Sequence, residues 1–330
     1  MSYLPWHAEA FEAVTARLAT LPHALLLTGK AGIGKRPFAL ALAGFLLCEQ
    51  RTVKAACGMC QSCRWLAADA HPDFRVIEPE AATSEEGDAD AKDNKKKRDI
   101  SVAQIRSIGD FIQVSAHRGG GKVVFIHPAE AMNLAAANAL LKSLEEPPPD
   151  TTFLLVSDRP NLLPATVRSR CQKLVLRPPA EREAAQWLAT QNVEQAQLAL
   201  SQAGGAPLAA IELSRADYWQ ARRLLLDGLV ARDFNPVQLA ERMSEHPIPQ
   251  TIGLMQRWTY DLSRLAFGQP IRYNTDKSES LLREVARMVP LEILRYHREL
   301  VRFQRVVNHP LSPRLLLEDL MMRYQTLAHT

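Results

Sequence analysis

Three groups of residues have side chains and spacings suited to chemistry. The first is Gly29-Lys30-Ala31-Gly32-Ile33-Gly34-Lys35, which fills seven of the eight positions of a phosphate-binding loop. In such a loop backbone N–H groups and a helix N-terminus face a triphosphate while the lysine neutralises its charge. Arg36 stands at the eighth position instead of Ser or Thr, so the hydroxyl that would hold Mg²⁺ between the β and γ oxygens is missing. The second group is Cys48, Cys57, Cys60 and Cys63, four thiolates, the number that tetrahedral zinc takes. A ferredoxin-type iron–sulfur cluster would place its fourth cysteine downstream and follow it with proline; here the outlying cysteine lies upstream and Arg64 follows the last. Four ligands leave no open position, so the metal is expected to be structural. The third group is Ser169-Arg170-Cys171, an arginine on a polar turn that taken alone reads as a solvated side chain.

A phosphate-loop hydrolase also needs acidic residues at the end of a neighbouring strand, for Mg²⁺ and for water. The apolar run Lys122–Ile126 is that strand, and it ends in His127-Pro128-Ala129-Glu130. Neither carboxylate is in place. Glu130 lies three residues too far along, beyond a proline that redirects the chain, and His127 has no evident partner.

The elements that would position these groups follow from the apolar pattern. A short helix is expected within residues 1–22, then a buried strand over Ala24–Thr28 and a helix from Gly34 through Leu47 that delivers Cys48. Residues 80–99 contain no large apolar side chain and read as a disordered loop, with Lys95–Arg98 solvated. Helices are expected over Val102–Val114 and Met132–Leu144, and strands over Lys122–Ile126, Thr152–Ser157 and Lys173–Leu176. Strands alternating with helices predict an α/β fold with a parallel sheet covered on both faces. Pro178-Pro179 closes that unit. The division expected is an α/β module over 1–178, a small helical lid over 179–214 and an all-α domain over 215–330.

The chain has 330 residues, 47% of them hydrophobic, and a net charge of +4, which permits a surface facing nucleic acid without requiring one. No apolar stretch is long enough to span a bilayer and the N-terminus carries no signal-peptide pattern, so a cytoplasmic protein with no membrane partner is expected. In that compartment clustered cysteines favour metal over disulfides.

The cysteine spacing between the nucleotide motifs, the run Asn138-Ala139-Leu140-Leu141-Lys142-Ser143-Leu144-Glu145-Glu146-Pro147-Pro148 and the Ser-Arg-Cys motif together closely resemble bacterial clamp-loader subunits of the AAA+ superfamily. The resemblance covers nearly the whole chain. It implies an AAA+ module with a zinc knuckle, a lid and a C-terminal collar, within a five-membered ring of motor ATPases and a clamp-opening subunit that loads a sliding clamp onto primer–template DNA. It also implies that Arg170 is an arginine finger acting in trans on a neighbour's ATP, with Ser169 and Cys171 positioning the turn. Arg36, His127, Pro128 and, in the lid, Leu208 depart from the motor-subunit pattern, which implies no hydrolysis at the chain's own site and a stator role. Gly29, Gly32, Gly34 and Lys35 would then form a degenerate nucleotide-binding loop. The alternatives are an active motor ATPase of the same family, which would turn over ATP alone, and a zinc-containing nucleic-acid binder using the arginines at 295, 298, 302 and 305, which would bind DNA alone with steep salt dependence.

Overall fold

A computed structural model describes residues 2–52, 55–80, 99–117, 121–303 and 313–328. Of the loop expected at 80–99, residues 81–98 with the basic run lie outside the described residues, as does Arg305. The chain divides into two compact units, Met1–Pro179 and Ala180–Thr330.

The first unit is built on five parallel strands: β1 (Ala24–Thr28), β2 (Phe74–Ile77), β3 (Lys122–Ile126), β4 (Thr151–Ser157) and β5 (Gln172–Val175), in the order β2-β3-β4-β1-β5. The three central strands, β3, β4 and β1, are mostly apolar and buried almost throughout because both faces are covered. Ala24, Leu26, Val124, Ile126, Phe153 and Leu155 bury one face in a single apolar cluster against Ile105, Ile108, Leu140 and Leu144. Those four side chains come from α4 (Val102–Gln113) and α5 (Leu134–Glu145). The opposite face receives α2 (Lys35–Leu47), whose Phe38 and Phe45 rings stand edge-on to Phe11 of α1 (Ala8–Thr15).

Local chemistry sets the helix ends. Ser101 and Gln104 form a capping box at the start of α4, and the Asn133 side chain accepts the Ala136 N–H at 2.8 Å, starting α5 two residues later than the apolar pattern suggests. The first twenty residues form not one helix but Pro5–His7, α1 and Leu18–Thr20 in succession. Between β1 and β2 a short α3 (Gln61–Ala67) carries the last cysteines, and α6 (Ala165–Ser169) precedes β5.

Among its described residues the second unit contains helices and no strand. α7 (Glu181–Thr190), α8 (Ala196–Gln202) and α9 (Pro207–Leu213) share a small core of Ala184, Leu188, Ala199, Leu200 and Ala210. The larger core belongs to α10 (Ala216–Leu229), α11 (Pro236–Met243), α12 (Ile248–Ala266), α13 (Ser278–Val285), α14 (Pro290–Phe303) and α15 (Pro313–Ala328), around Trp258, Met321 and Tyr324. Gln202 ties the two sets together: its amide donates to the Tyr273 carbonyl at 2.7 Å and its oxygen accepts from the Tyr218 hydroxyl at 2.9 Å. Trp219 packs on both apolar clusters. No helix among the described residues is long and apolar enough to cross a membrane.

Candidate functional site

The phosphate loop joins β1 to α2, with Gly34 at the helix N-cap and a φ of +97°, a backbone state that glycine adopts without strain. At Gly29 a Cβ would lie 2.5 Å from the Leu176 carbonyl oxygen, so this position also admits only glycine. The loop is covered from one side by the N-terminal turn. Trp6 Nε1 donates to the Ile33 carbonyl at 2.9 Å, and a Cβ at Gly34 would overlap Leu4. His7 is buried there, and burial, then the Lys35 charge, push its pKa down to about 4.

Lys35, expected to neutralise phosphate, is buried and already engaged. Its ammonium pairs with the Asp158 carboxylate and donates to the Lys30 carbonyl at 2.6 Å. Strand register places the two together. Thr28 lies opposite Ser157, so the residue after β4 sits beside the first glycine of the loop. Arg36 Nε donates to Glu78 Oε1 at 3.0 Å, from the residue that follows β2. Glu130 does not swing in toward the loop; its Oε1 accepts the N–H groups of Asp158 and Arg159 at 3.0 and 3.1 Å. His127 does have neighbours: the charges of Glu78, Arg36, Asp158 and Glu130 all act on it, but burial dominates and lowers its pKa. Three carboxylates thus reach the strand ends, two of them, Asp158 and Glu78, from positions that the motif pattern did not identify. Asp158 and Glu78 are held by Lys35 and Arg36, and one Glu130 oxygen by backbone N–H groups, so the cations at positions 35 and 36 both meet carboxylates of the chain itself.

The cysteines converge as their spacing predicts. Their sulfurs lie within 4.8 Å of one another, the only such group of potential metal ligands among the described residues. Cys48 and Cys60 are 3.9 Å apart and Cys57 and Cys63 4.0 Å, close to the ~3.8 Å edge of a tetrahedron with Zn–S bonds of about 2.3 Å. Backbone N–H groups point at the sulfurs. Cys57 N–H reaches Cys48 Sγ at 3.2 Å, and Met59 and Cys60 N–H reach Cys57 Sγ at 3.4 and 3.3 Å. The last two hold the Cys57 thiol below its ordinary pKa. Four thiols with oriented backbone donors fit a tetrahedral thiophilic cation.

Arg170 ends α6 on a half-buried turn, less exposed than its polar setting predicts. Its guanidinium pairs with Glu145 at 2.5 Å and donates to the Thr166 carbonyl at 2.9 Å and to Ser169 Oγ at 3.4 Å. Cys171 anchors the turn in the apolar core, where burial pushes its thiol up to about 11, which leaves it unreactive. Of the arginine face expected on α14, Arg295 is paired with Glu292 at 2.5 Å, while Arg298 and Arg302 are exposed.

A family model described as "DNA polymerase III, delta subunit" matches residues 8–180. The chain is 37% identical to the DNA polymerase III subunit delta' of Pseudomonas aeruginosa over 267 residues, covering 79% of this chain and 77% of that one. With the subunit delta' of Escherichia coli it shares 36% identity over 234 residues, 69% of this chain and 66% of the other. Among solved structures it is similar to a DNA polymerase III, gamma subunit-related protein from Thermotoga maritima, at 17% identity and a TM-score of 0.46, covering 98% of this chain and 99% of that chain.

Proposed function

Since the chain belongs to the DNA polymerase III delta' family, we propose that it is the stator of the clamp loader, a subunit that lends an arginine to a neighbouring ATPase and hydrolyses nothing itself. The observation that carries this is the contrast between two paired cations: Lys35 is buried with Asp158 inside the loop, whereas Arg170 meets Glu145 at the surface, where both side chains are partly solvated. In the ring, ATP on the gamma/tau motor subunits closes the assembly around primer–template DNA, and the delta subunit holds the sliding clamp open. Arg170 then reaches the ATP of the adjoining motor subunit and stabilises charge that develops on the γ-phosphoryl group only in the transition state, an effect worth about 10³–10⁵ in rate.

Arg170 must leave Glu145 to do so. Both side chains are partly solvated, at 34% and 47% exposure, so the exchange of a carboxylate for a phosphate costs little. Ser169 bridges the guanidinium and the Thr166 carbonyl, which keeps the arginine at the end of the turn. The helices of 179–214 serve as the lid and those of 215–330 as the collar, with Leu208 at the position where a motor subunit carries a phosphate-sensing arginine. Cys48, Cys57, Cys60 and Cys63 hold a structural zinc ion, which supplies a cross-link where the knuckle has little apolar core of its own. The protein works in the cytoplasm as part of the replication machinery. Reconstitution with the partner subunits tests the assignment: DNA-stimulated ATP hydrolysis should depend on Arg170 and not on Lys35.

A further inference from the structure

The cysteine knuckle is joined to the parallel sheet by one continuous run of hydrogen bonds through His71. The Asp73 N–H donates to His71 Nδ1 at 3.0 Å, so Nδ1 carries the lone pair and Nε2 the proton. Nε2 meets Ser62 Oγ at 2.5 Å, and the Ser62 hydroxyl donates onward to the Leu47 carbonyl at 2.6 Å. The groups are shielded from water, with Ser62 4%, His71 8% and Asp73 2% exposed. Each donor has one acceptor, and the serine oxygen both receives and gives.

The ends of this run are what matter. Ser62 directly precedes Cys63, and Leu47 directly precedes Cys48, so one hydroxyl ties together the backbone beside two of the four sulfurs. At the other end Asp73 is fixed to the sheet. Its carbonyl accepts the Val123 N–H of β3 at 2.9 Å, and its carboxylate accepts the His117 N–H at 3.0 and 3.1 Å. Trp65 stands edge-on to the imidazole, 5.8 Å between ring centres, and keeps the ring in this orientation.

We propose that His71 and Ser62 are positioning residues for the metal centre: the relay Nε2–H to Ser62 Oγ–H to the Leu47 carbonyl fixes the backbone of Cys48 and Cys63 against β2, so that the ion leaves only when the relay opens. The proposal rests on the zinc reading above. Partners outside the ligand set commonly govern metal affinity by about 10–100-fold, because they fix ligand orientation. Here they act through the backbone next to the ligands. The chemistry asks for a neutral imidazole with its proton on Nε2 and for a hydroxyl that accepts that proton's hydrogen bond while donating to Leu47.

Zinc release from the full chain to a competing chelator tests this in the wild type, His71→Asn, Ser62→Ala and the double variant. Asparagine keeps an acceptor for the N–H two residues on but lacks the Nε2 donor. Each single change should speed release roughly tenfold, and the double variant should release no faster than the faster single, because both cut the same relay. A merely structural contact would lower the melting temperature without changing release. Release within twofold of wild type in the singles, or effects that multiply in the double variant, overturns the proposal. Should His71→Asn not fold, Ser62→Ala, which removes one oxygen, decides the matter by the same twofold criterion. Wild-type protein purified without zinc would instead overturn the metal reading.

Discussion

The Lys35 ammonium and the Asp158 carboxylate form an ion pair where the phosphate loop leaves β1 and the chain leaves β4. A carboxylate therefore occupies the lysine that a γ-phosphate would need. Lys35 is 3% exposed and Asp158 35%, so deleting the acid strands a buried charge, while solvent at the other end moderates the cost. Asp158→Asn should lower stability by roughly 1–3 kcal/mol. The same change frees the ammonium, so ADP or pyrophosphate should raise the melting temperature of the variant more than that of the wild type. Thermal-shift curves with and without these ligands check both effects; a variant that melts like the wild type under all conditions would remove Asp158 from this role.

Acid should destabilise the N-terminal unit through His7. Its folded pKa, about 4, lies below the ordinary value of 6.5, so the unfolded chain binds the extra proton in between. The stability it contributes is therefore complete above about pH 6.5 and is lost as pH falls toward 4. The full difference is worth roughly 3 kcal/mol. His71 and His127 are also lowered by burial and act in the same direction. Urea unfolding at pH 7 and pH 4.5 should show this loss, and His7→Phe, which keeps a ring without the titration, should reduce it.

Much of this architecture is legible in the sequence because each central strand carries an apolar run, Ala24–Leu27, Val123–Ile126 and Phe153–Val156. β1 and β3 have the limits expected from pattern alone, and β4 and β5 differ by a residue. β2 is different. It is an edge strand in which Arg75 and Val76 are exposed, so it shows neither an apolar run nor a clean alternation. The site divides in the same way. The cysteines lie close together in the chain and their spacing encodes their geometry, whereas Asp158, Glu78 and Glu145 meet Lys35, Arg36 and Arg170 only through strand register and helix packing. Asp158 left one trace, a carboxylate directly after an apolar strand. Nothing local marks His71 as the partner of Ser62.

Removing the metal should loosen the knuckle and leave the sheet intact. The purified chain should contain one zinc per molecule by elemental analysis, and Cys57→Ser should reduce that content. The sheet core of Leu26, Val124 and Phe153 is buried independently of the cysteines, so far-UV circular dichroism should change little on chelation. Amide exchange should rise between Cys48 and Ala67. A cooperative loss of the whole unit on chelation would mean that the zinc lobe is integral to the sheet's folding.

Arg170→Ala should leave the chain folded and able to assemble. The ion pair with Glu145 is half-exposed, and such pairs contribute about 0–1 kcal/mol, while Val167 and Cys171 keep the turn anchored in the apolar core. Catalysis should respond far more strongly, because a guanidinium that faces the γ-phosphoryl group is worth about 10³ or more at the site it serves. In the proposed arrangement one ATP of the ring would face this arginine, so total turnover should fall by at least that site's share. Arg170→Lys should not restore it, since an ammonium lacks the planar fork that binds phosphate through two bonds. Glu145→Gln should leave turnover intact, because on this proposal it removes only the group from which Arg170 would depart. Steady-state DNA-stimulated ATP hydrolysis by the reconstituted loader measures all three variants; full turnover with Arg170→Ala would mean that the finger comes from elsewhere.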